Sequence, residues 1–296
     1  MTESGERFGH AAIAGRPNAG KSTLFNRLIG EKVSITAPRA QTTRDVIYGI
    51  ATRDDAQIVY VDTPGFQTRH GGALNRALNR KVETGIEHSD VIIFIVGGLV
   101  FQAADREVLN LLPHGKPIIL AINKLDRIGD RSLLLPFIQT MAQIHAFAEI
   151  VPVSAKTAEQ VEQLASAVVC HLPIGERVFD ADELTLQSER SLAAELLREK
   201  LVRGLSQELP YSLAVAIDAF KLTGGIRTIH AVIIVDKASQ KAIVIGKGGQ
   251  RLKTIASQAR IDMERLFRGK VFLRVWVKVK RAWMHDERQL RALGYS

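Results

Sequence analysis

The chain of 296 residues is long enough to bury more than one core, so two domains are expected, and its 46 % hydrophobic and 24 % charged content is that of an ordinary globular protein. A formal charge of +9 points to a polyanionic partner, and the single cysteine, Cys170, excludes an intrachain disulfide and fits a reducing cytosol. The longest apolar run, residues 91–96, is far too short to cross a bilayer, and the polar N-terminus has no signal-peptide pattern.

The charge is unevenly spread. Residues 1–175 hold 18 Lys and Arg against 17 Asp and Glu, whereas residues 221–296 hold 17 against 5. The excess reads as an electrostatic footprint for nucleic acid in the C-terminal part.

In chain order, an apolar strand over Phe8–Ala14 is followed by Gly15-Arg16-Pro17-Asn18-Ala19-Gly20-Lys21-Ser22 and a helical stretch from Thr23. Strand, G-x-x-x-x-G-K-S turn and helix are the context of a phosphate-binding loop. The glycines let successive N–H groups face a polyphosphate, and the helix N-terminus adds partial positive charge. Lys21 would reach the β- and γ-phosphates, and the Ser22 hydroxyl would bind Mg²⁺. The polar segment 37–45 carries Thr42 and Thr43, either of which can close over the γ-phosphate and the metal.

Strands are expected over Val46–Ala51 and Gln57–Asp62, then over Val91–Val96, Ile118–Asn123 and Glu149–Val153. Helices are expected over Leu74–Ser89, Ala104–Leu111, Leu133–Ala146 and Val161–His171. This alternation predicts an α/β fold, a doubly wound and mostly parallel sheet with ligands at the carboxyl ends of its strands. Polar motifs do follow the strands. Asp62-Thr63-Pro64-Gly65, with Phe66 next, can hold the Mg²⁺ shell through Asp62 and offer the Gly65 N–H to the γ-phosphate. Asn123-Lys124-Leu125-Asp126 selects the base: the Asp126 carboxylate can accept from guanine N1–H and N2–H₂, and adenine would leave it unpaired. Asn123 braces this loop, and the Lys124 stem can lie over the base. Ser154-Ala155-Lys156 can bring a backbone N–H to guanine O6.

The ordered set G-R-P-N-A-G-K-S, Q-T-T-R (41–44), D-T-P-G, N-K-L-D and S-A-K resembles the translation-factor-related bacterial GTPases, especially the Era group, over residues 7–175. The resemblance implies GTP binding with Mg²⁺ and slow hydrolysis to GDP. It implies that Thr43, rather than Thr42, closes the first switch, so that Ser22, Thr43 and Asp62 attend the metal. It also implies that Asn18, Lys21, Thr43, Asp62 and Gly65 serve the reaction. Where better-known small GTPases carry a water-orienting glutamine, this chain has Phe66, and Gln67 is one residue too far. In the subgroup with an apolar residue there, the residue matching Asn18 is associated with K⁺ held against the phosphates. Asn18 is equally readable as a turn residue that tolerates an awkward backbone angle.

Pro173, Gly175, Asp180, Asp182 and Glu183 break the alternation, and residues 176–189 read as a linker. A helix capped by Ser188 runs to Gln207 with Leu192, Leu196, Leu197, Leu201 and Leu205 as its apolar stripe. Strands are expected over Ser212–Leu222 and Ile226–Asp236. Ala242–Ile245 reads as a third short strand or extended run leading into Gly246-Lys247-Gly248-Gly249, and a helix with Leu252 and Ile255 and a last strand, Val271–Val279, follow. This stretch resembles a KH domain of type II over 190–283, an α+β unit whose G-x-x-G loop clamps about four single-stranded nucleotides. The candidate RNA contacts are Gly246, Lys247, Gly248, Gly249, Arg251 and Lys253. Trp276 and Trp283 could stack bases, but strand tryptophans are more often core, and neither is assigned. Residues 284–296 form a tail with a short helix.

The two resemblances together imply a cytoplasmic ribosome-assembly GTPase of the Era family. Such a protein binds GTP or GDP and the 3′ end region of 16S rRNA in the small ribosomal subunit, and makes peripheral contact with the inner membrane. A monomer without a DNA partner is expected. In this reading GTP orders residues 36–45 and 62–80 and thereby sets RNA affinity. Two alternatives stand beside it: a constitutive RNA-binding adaptor whose nucleotide is structural, and a GTPase of tRNA modification, against which the KH domain argues.

Overall fold

The computed structural model of the chain describes residues 5–36, 44–65, 73–205, 209 and 212–293. The chain divides into two compact units. The larger ends at Leu186; the smaller begins at Gln187 and also takes in Ile35, Thr36 and Ala73–Ala77.

The larger unit is built on a six-stranded sheet of β1 (Arg7–Ala14), β2 (Ile47–Thr52), β3 (Ala56–Asp62), β4 (Val91–Gly97), β5 (Ile118–Asn123) and β6 (Glu149–Pro152), in the order β2-β3-β1-β4-β5-β6. All neighbours are parallel except β2, which returns antiparallel to β3. The central strands are buried along nearly their whole length, as continuous Ile/Val/Ala runs require when helices cover both faces of a sheet. On one face Val82 and Ile86 of α2 (Ala73–Glu87), Val108 and Leu109 of α3 (Ala103–Asn110) and Met141 of α4 (Leu134–Ile144) close a core over Phe94, Leu120 and Ile122. On the other, Leu24 and Phe25 of α1 (Lys21–Ile29) and Leu164 and Val168 of α5 (Val161–His171) are fully buried. The register places Ile13 beside Asp62 and Gly97 beside Asn123, so the loops leaving β1, β3, β4 and β5 converge at one end of the sheet.

The stretch read as a linker packs on the larger unit. The Gln57 carboxamide accepts from the Val178 and Phe179 N–H groups and donates to the Phe179 carbonyl. Further on, the Ile50 N–H donates to the Leu184 carbonyl and the Thr185 hydroxyl to that of Tyr48. The free edge of β2 is thereby covered.

The smaller unit runs α6 (Glu189–Gly204), β7 (Leu213–Thr223), β8 (Ile226–Val235), α7 (Ala238–Ile245), α8 (Gln250–Leu266), β9 (Lys270–Val279) and α9 (Glu287–Ala292). Its sheet has the order β7-β8-β9, antiparallel and then parallel. The Ser188 hydroxyl caps α6 by accepting from the Ser191 N–H, and the leucine stripe of α6 is buried. On α8, Ile255, Ala259 and Met263 recur every four residues and are buried. Gly204 lets the two helices approach, since a Cβ there would meet Ile255 at 3.3 Å.

One expectation is corrected. Ala242–Ile245 is the last turn of helix α7, not a strand. Its β-branched run mimics a strand, but the Gln240 side chain accepts from the Asp236 and Lys237 N–H groups and starts a helix. Only one face of that helix is buried, through Val244.

Candidate nucleotide site and RNA loop

Residues 15–20 make the turn between β1 and α1. Two of its glycines are required by packing: a Cβ on Gly15 would sit 2.6 Å from the Ile95 carbonyl oxygen, and one on Gly20, at φ 111°, 2.2 Å from Asn123 Nδ2. Asn18 lies at φ 63°, in the left-handed region that asparagine tolerates. The Lys21 ammonium is buried and donates to the carbonyls of Gly15 at 2.9 Å and Arg16 at 3.2 Å. Burial lowers its pKa to about 8, with Asp62 pulling the other way and Arg16 adding to the fall. Ser22 and Thr23 stand in the first turn of α1.

Asp62 ends β3, fully buried beside the loop, and accepts from the Ser34 hydroxyl at 2.7 Å. Ser34 is held by Asn26 of α1, which accepts from the Val33 and Ser34 N–H groups and donates to the Ser34 carbonyl. The Thr63 hydroxyl donates to the Ile13 carbonyl at 2.8 Å. After Pro64, Gly65 passes so close to Pro17 that a Cβ would meet it at 3.0 Å. The buried Asp62 carboxylate and the Ser22 hydroxyl make a hard oxygen donor set suited to Mg²⁺. Thr42, Thr43, Phe66 and Gln67 lie outside the described residues.

The loop after β5 is tied to this turn. Asn123 Nδ2 donates to the Ala19 carbonyl at 2.9 Å, while its Oδ1 accepts from the Ala155 N–H at 3.0 Å. Lys124, at φ 71°, donates to the Asn18 carbonyl at 2.7 Å. Its pKa is lowered by burial and by the neighbouring Arg127 and Arg16. Leu125 is buried beneath the loop. Asp126 accepts from the Ser154 hydroxyl at 2.8 Å and has Lys156 at 4.0 Å. The four motifs thus converge at one end of the sheet, and a single side chain, Asn123, ties its own motif to two of the others.

Sequence reasoning missed Ser34, Asn26 and Asp105. Asn26 and Asp105 sit in helices with no motif around them, and only the fold shows that they face Ser34 and the Arg16 guanidinium of the phosphate loop.

In the smaller unit, Gly246, Gly248 and Gly249 all have positive φ, of 74°, 58° and 76°. A Cβ on Gly246 would meet that of Arg251 at 2.7 Å. The loop opens the 17-residue helix α8, with Lys247 and Lys253 exposed beside it. The Arg251 guanidinium donates to the Ile243 carbonyl at 2.7 Å and so caps α7 as well as adding charge.

Residues 10–124 match the family model of the 50S ribosome-binding GTPases, and residues 208–284 that of the KH domain. Over 296 residues, and the full length of both chains, the sequence is 50 % identical to GTPase Era of Nitrosomonas eutropha. The chain belongs to the Era family of GTPases. GTPase Era of Chromobacterium violaceum is likewise 50 % identical over 99 % of each chain. A tyrosine-to-alanine variant of Aquifex aeolicus Era, bound to GDP and AlF₄⁻, superposes with a TM-score of 0.94 at 37 % identity, covering 98 % of this chain and 99 % of that one. A second Era structure, with MgGDPNP and nucleotides 1506–1542 of 16S ribosomal RNA, matches with the same score, identity and coverage. Hydrolysis of GTP is therefore the chain's activity. The fold is a P-loop GTPase domain followed by a KH domain of type II.

Proposed function

We propose that the chain is a GTP-driven switch that binds 16S rRNA near its 3′ end and acts in maturation of the small ribosomal subunit. What carries the reading is the pairing, on one polypeptide, of a guanine-selective phosphate site with a basic G-x-x-G loop. An Era relative solved with both MgGDPNP and an rRNA fragment supports it.

In this reading the N–H groups of residues 15–22 and the Lys21 ammonium bind the polyphosphate, and Lys21 exchanges its two carbonyl partners for phosphate oxygens. Ser22 and Asp62, with Thr43, would hold Mg²⁺, which supplies charge neutralisation at the phosphates. The Gly65 N–H meets the γ-phosphate. Asp126, oriented by Ser154, pairs with guanine N1–H and N2–H₂, while Ala155 offers its N–H to O6. With phenylalanine at position 66 the chain lacks the usual water-orienting side chain there, so hydrolysis is slow and depends on K⁺ beside Asn18 or on a partner. Gly246, Gly248 and Gly249 let an RNA backbone approach closely, with Lys247, Arg251 and Lys253 near its phosphates. No helix among the described residues is long and apolar enough to cross a membrane; peripheral contact with the inner membrane is part of the proposal.

Affinity for the 3′ fragment of 16S rRNA, measured with a non-hydrolysable GTP analogue and with GDP, tests the switch. The analogue should tighten binding about ten-fold, within the usual range of allosteric coupling. Equal affinities would overturn the coupling, and no capture of rRNA in either state would overturn the whole reading.

A further inference from the structure

The sheet of the smaller unit has two faces. Val271 and Val277 of β9, with Ile229 and Ala231 of β8, point towards the helices and are buried. The register defines the opposite face: Thr228 lies beside Phe272, His230 beside Arg274, and Val232 beside Trp276. Lys221 and Ala219 of β7 continue the first two rows. On this face of the edge strand β9, Phe272 is 51 % and Trp276 43 % exposed. So much aromatic surface needs a reason.

The aromatics alternate with cations. The Arg274 guanidinium carbon lies 6.0 Å from the Phe272 ring centre. His230 meets Trp276 edge-on at 5.3 Å and fixes its ring. Lys270 and Lys278 share the face, and Lys278 is ion-paired at 3.8 Å with Asp218 of β7, the acidic group facing this row. The core of a protein–protein interface is depleted in charge, which this row is not.

Val232 and Ile234 of β8 lie on the same face and are buried, so its exposed part is the β9 edge. We propose that this exposed β9 edge is a second platform for single-stranded RNA, separate from the glycine loop. Phe272 and Trp276 stack bases, and Lys270, Arg274 and Lys278 follow the phosphates. Phe272 and Trp276 are four residues apart, roughly 13 Å along the strand, so the two rings offer stacking positions on either side of Arg274 rather than to adjacent bases. Sheet aromatics hold two or three bases in this way in other RNA-binding domains, with little demand on sequence. The proposal rests on the reading of this unit as an RNA binder.

Fluorescence of the full-length chain provides the test, because only two tryptophans are present and Trp283 is 0 % exposed. A uridine dodecamer should quench the emission of Trp276, and Trp276→Phe should abolish the response. Phe272→Ala combined with Arg274→Ala should weaken dodecamer binding about ten-fold, as expected for one lost stack and one lost cation. Arg274→Glu, which keeps both rings, should weaken it as well. Lys247→Glu with Lys253→Glu should weaken binding without removing the quench at saturation. RNA that binds with Trp276 emission unmoved, or binds the Phe272 and Arg274 variants as well as the parent, overturns the platform alone. A chain that captures neither the dodecamer nor rRNA overturns the RNA reading, and the platform with it.

Discussion

Arg16, in the phosphate loop, lies with its Nε 3.0 Å from the carboxylate of Asp105, which is fully buried in the first turn of α3. Asp105 also accepts from the Gln102 N–H at 2.9 Å, so the carboxylate is fixed by its own helix before it meets the arginine. The Arg16 carbonyl in turn accepts from Lys21. One buried charge therefore positions the backbone that holds the phosphate-binding ammonium. Asp105→Ala strands a partly buried guanidinium and should cost about 1–3 kcal/mol of stability, below the full penalty for a broken buried pair because Arg16 retains some solvent. GDP affinity should fall about ten-fold, while Asp105→Asn, which keeps an acceptor, should lose less. Thermal unfolding and nucleotide titration check both. Equal GDP affinity in the alanine variant and the parent would show that Asp105 serves stability alone.

Ser154 donates to Asp126 at 2.8 Å. Removing that donor in Ser154→Ala leaves the carboxylate free to turn from the base, and a hydrogen bond to a charged group contributes about 1.5–3 kcal/mol. GDP affinity should drop about ten-fold or more. The preference for GDP over inosine diphosphate, which lacks the N2 amine, should narrow. Competition titrations with the two nucleotides read this directly, and an unchanged preference would remove Ser154 from base selection.

What could be read from the chain alone follows from these contacts. The motif spacing placed the phosphate loop, the carboxylate after β3 and the base-reading loop because each lies in a local strand–loop unit. Val161–His171 was legible to the residue as a helix because its apolar period is unbroken. Ala242–Ile245 was not, because four apolar and mostly β-branched residues carry no period, and the helix start lies in the Gln240 side chain upstream. Nor was Asp105, since its meaning is its distance to Arg16 across 89 residues. The stretch 176–189 resembled a linker by composition, yet Gln57 pairs with it through two N–H groups and a carbonyl that no side-chain pattern announces.

Lys21 links nucleotide binding to pH. Its pKa is lowered from 10.5 to about 8 in the fold, chiefly by burial. Between about pH 8 and 10.5 the unfolded chain binds more protons at this group, so its contribution to stability improves as pH rises through that window and is constant below it. A polyphosphate favours the ammonium and raises the pKa again. GDP binding should therefore take up a fraction of a proton at about pH 8.5, and affinity should decline as pH rises further. Calorimetry in two buffers of different ionisation enthalpy measures the uptake, and identical heats in both would contradict it.

The glycine loop separates two kinds of glycine. Gly246 has φ 74° and no room for a Cβ, whereas Gly248 has φ 58° and open space around it. Gly246→Ala should cost about 1–3 kcal/mol through backbone strain and the clash with Arg251. Gly248→Asn should be tolerated, because asparagine accepts the left-handed region. Thermal unfolding distinguishes the two, and equal melting temperatures would mean that the loop relaxes around the new methyl.

Asn18 carries two burdens that a pair of substitutions can part. Its backbone sits at φ 63°, and its carbonyl accepts from Lys124. Asn18→Gly adopts that angle without strain and keeps the carbonyl, while deleting the side-chain oxygen. If the side chain helps hold a monovalent cation against the phosphates, the parent should hydrolyse GTP faster in K⁺ than in Na⁺. The glycine variant should fold and bind GDP like the parent yet lose the difference between the salts. Asn18→Ala should lose the difference too, and additionally be less stable by about 1 kcal/mol, the strain of a left-handed residue with a Cβ. A glycine variant that keeps its K⁺ stimulation would assign Asn18 to the turn alone, with its charge partner elsewhere in the site.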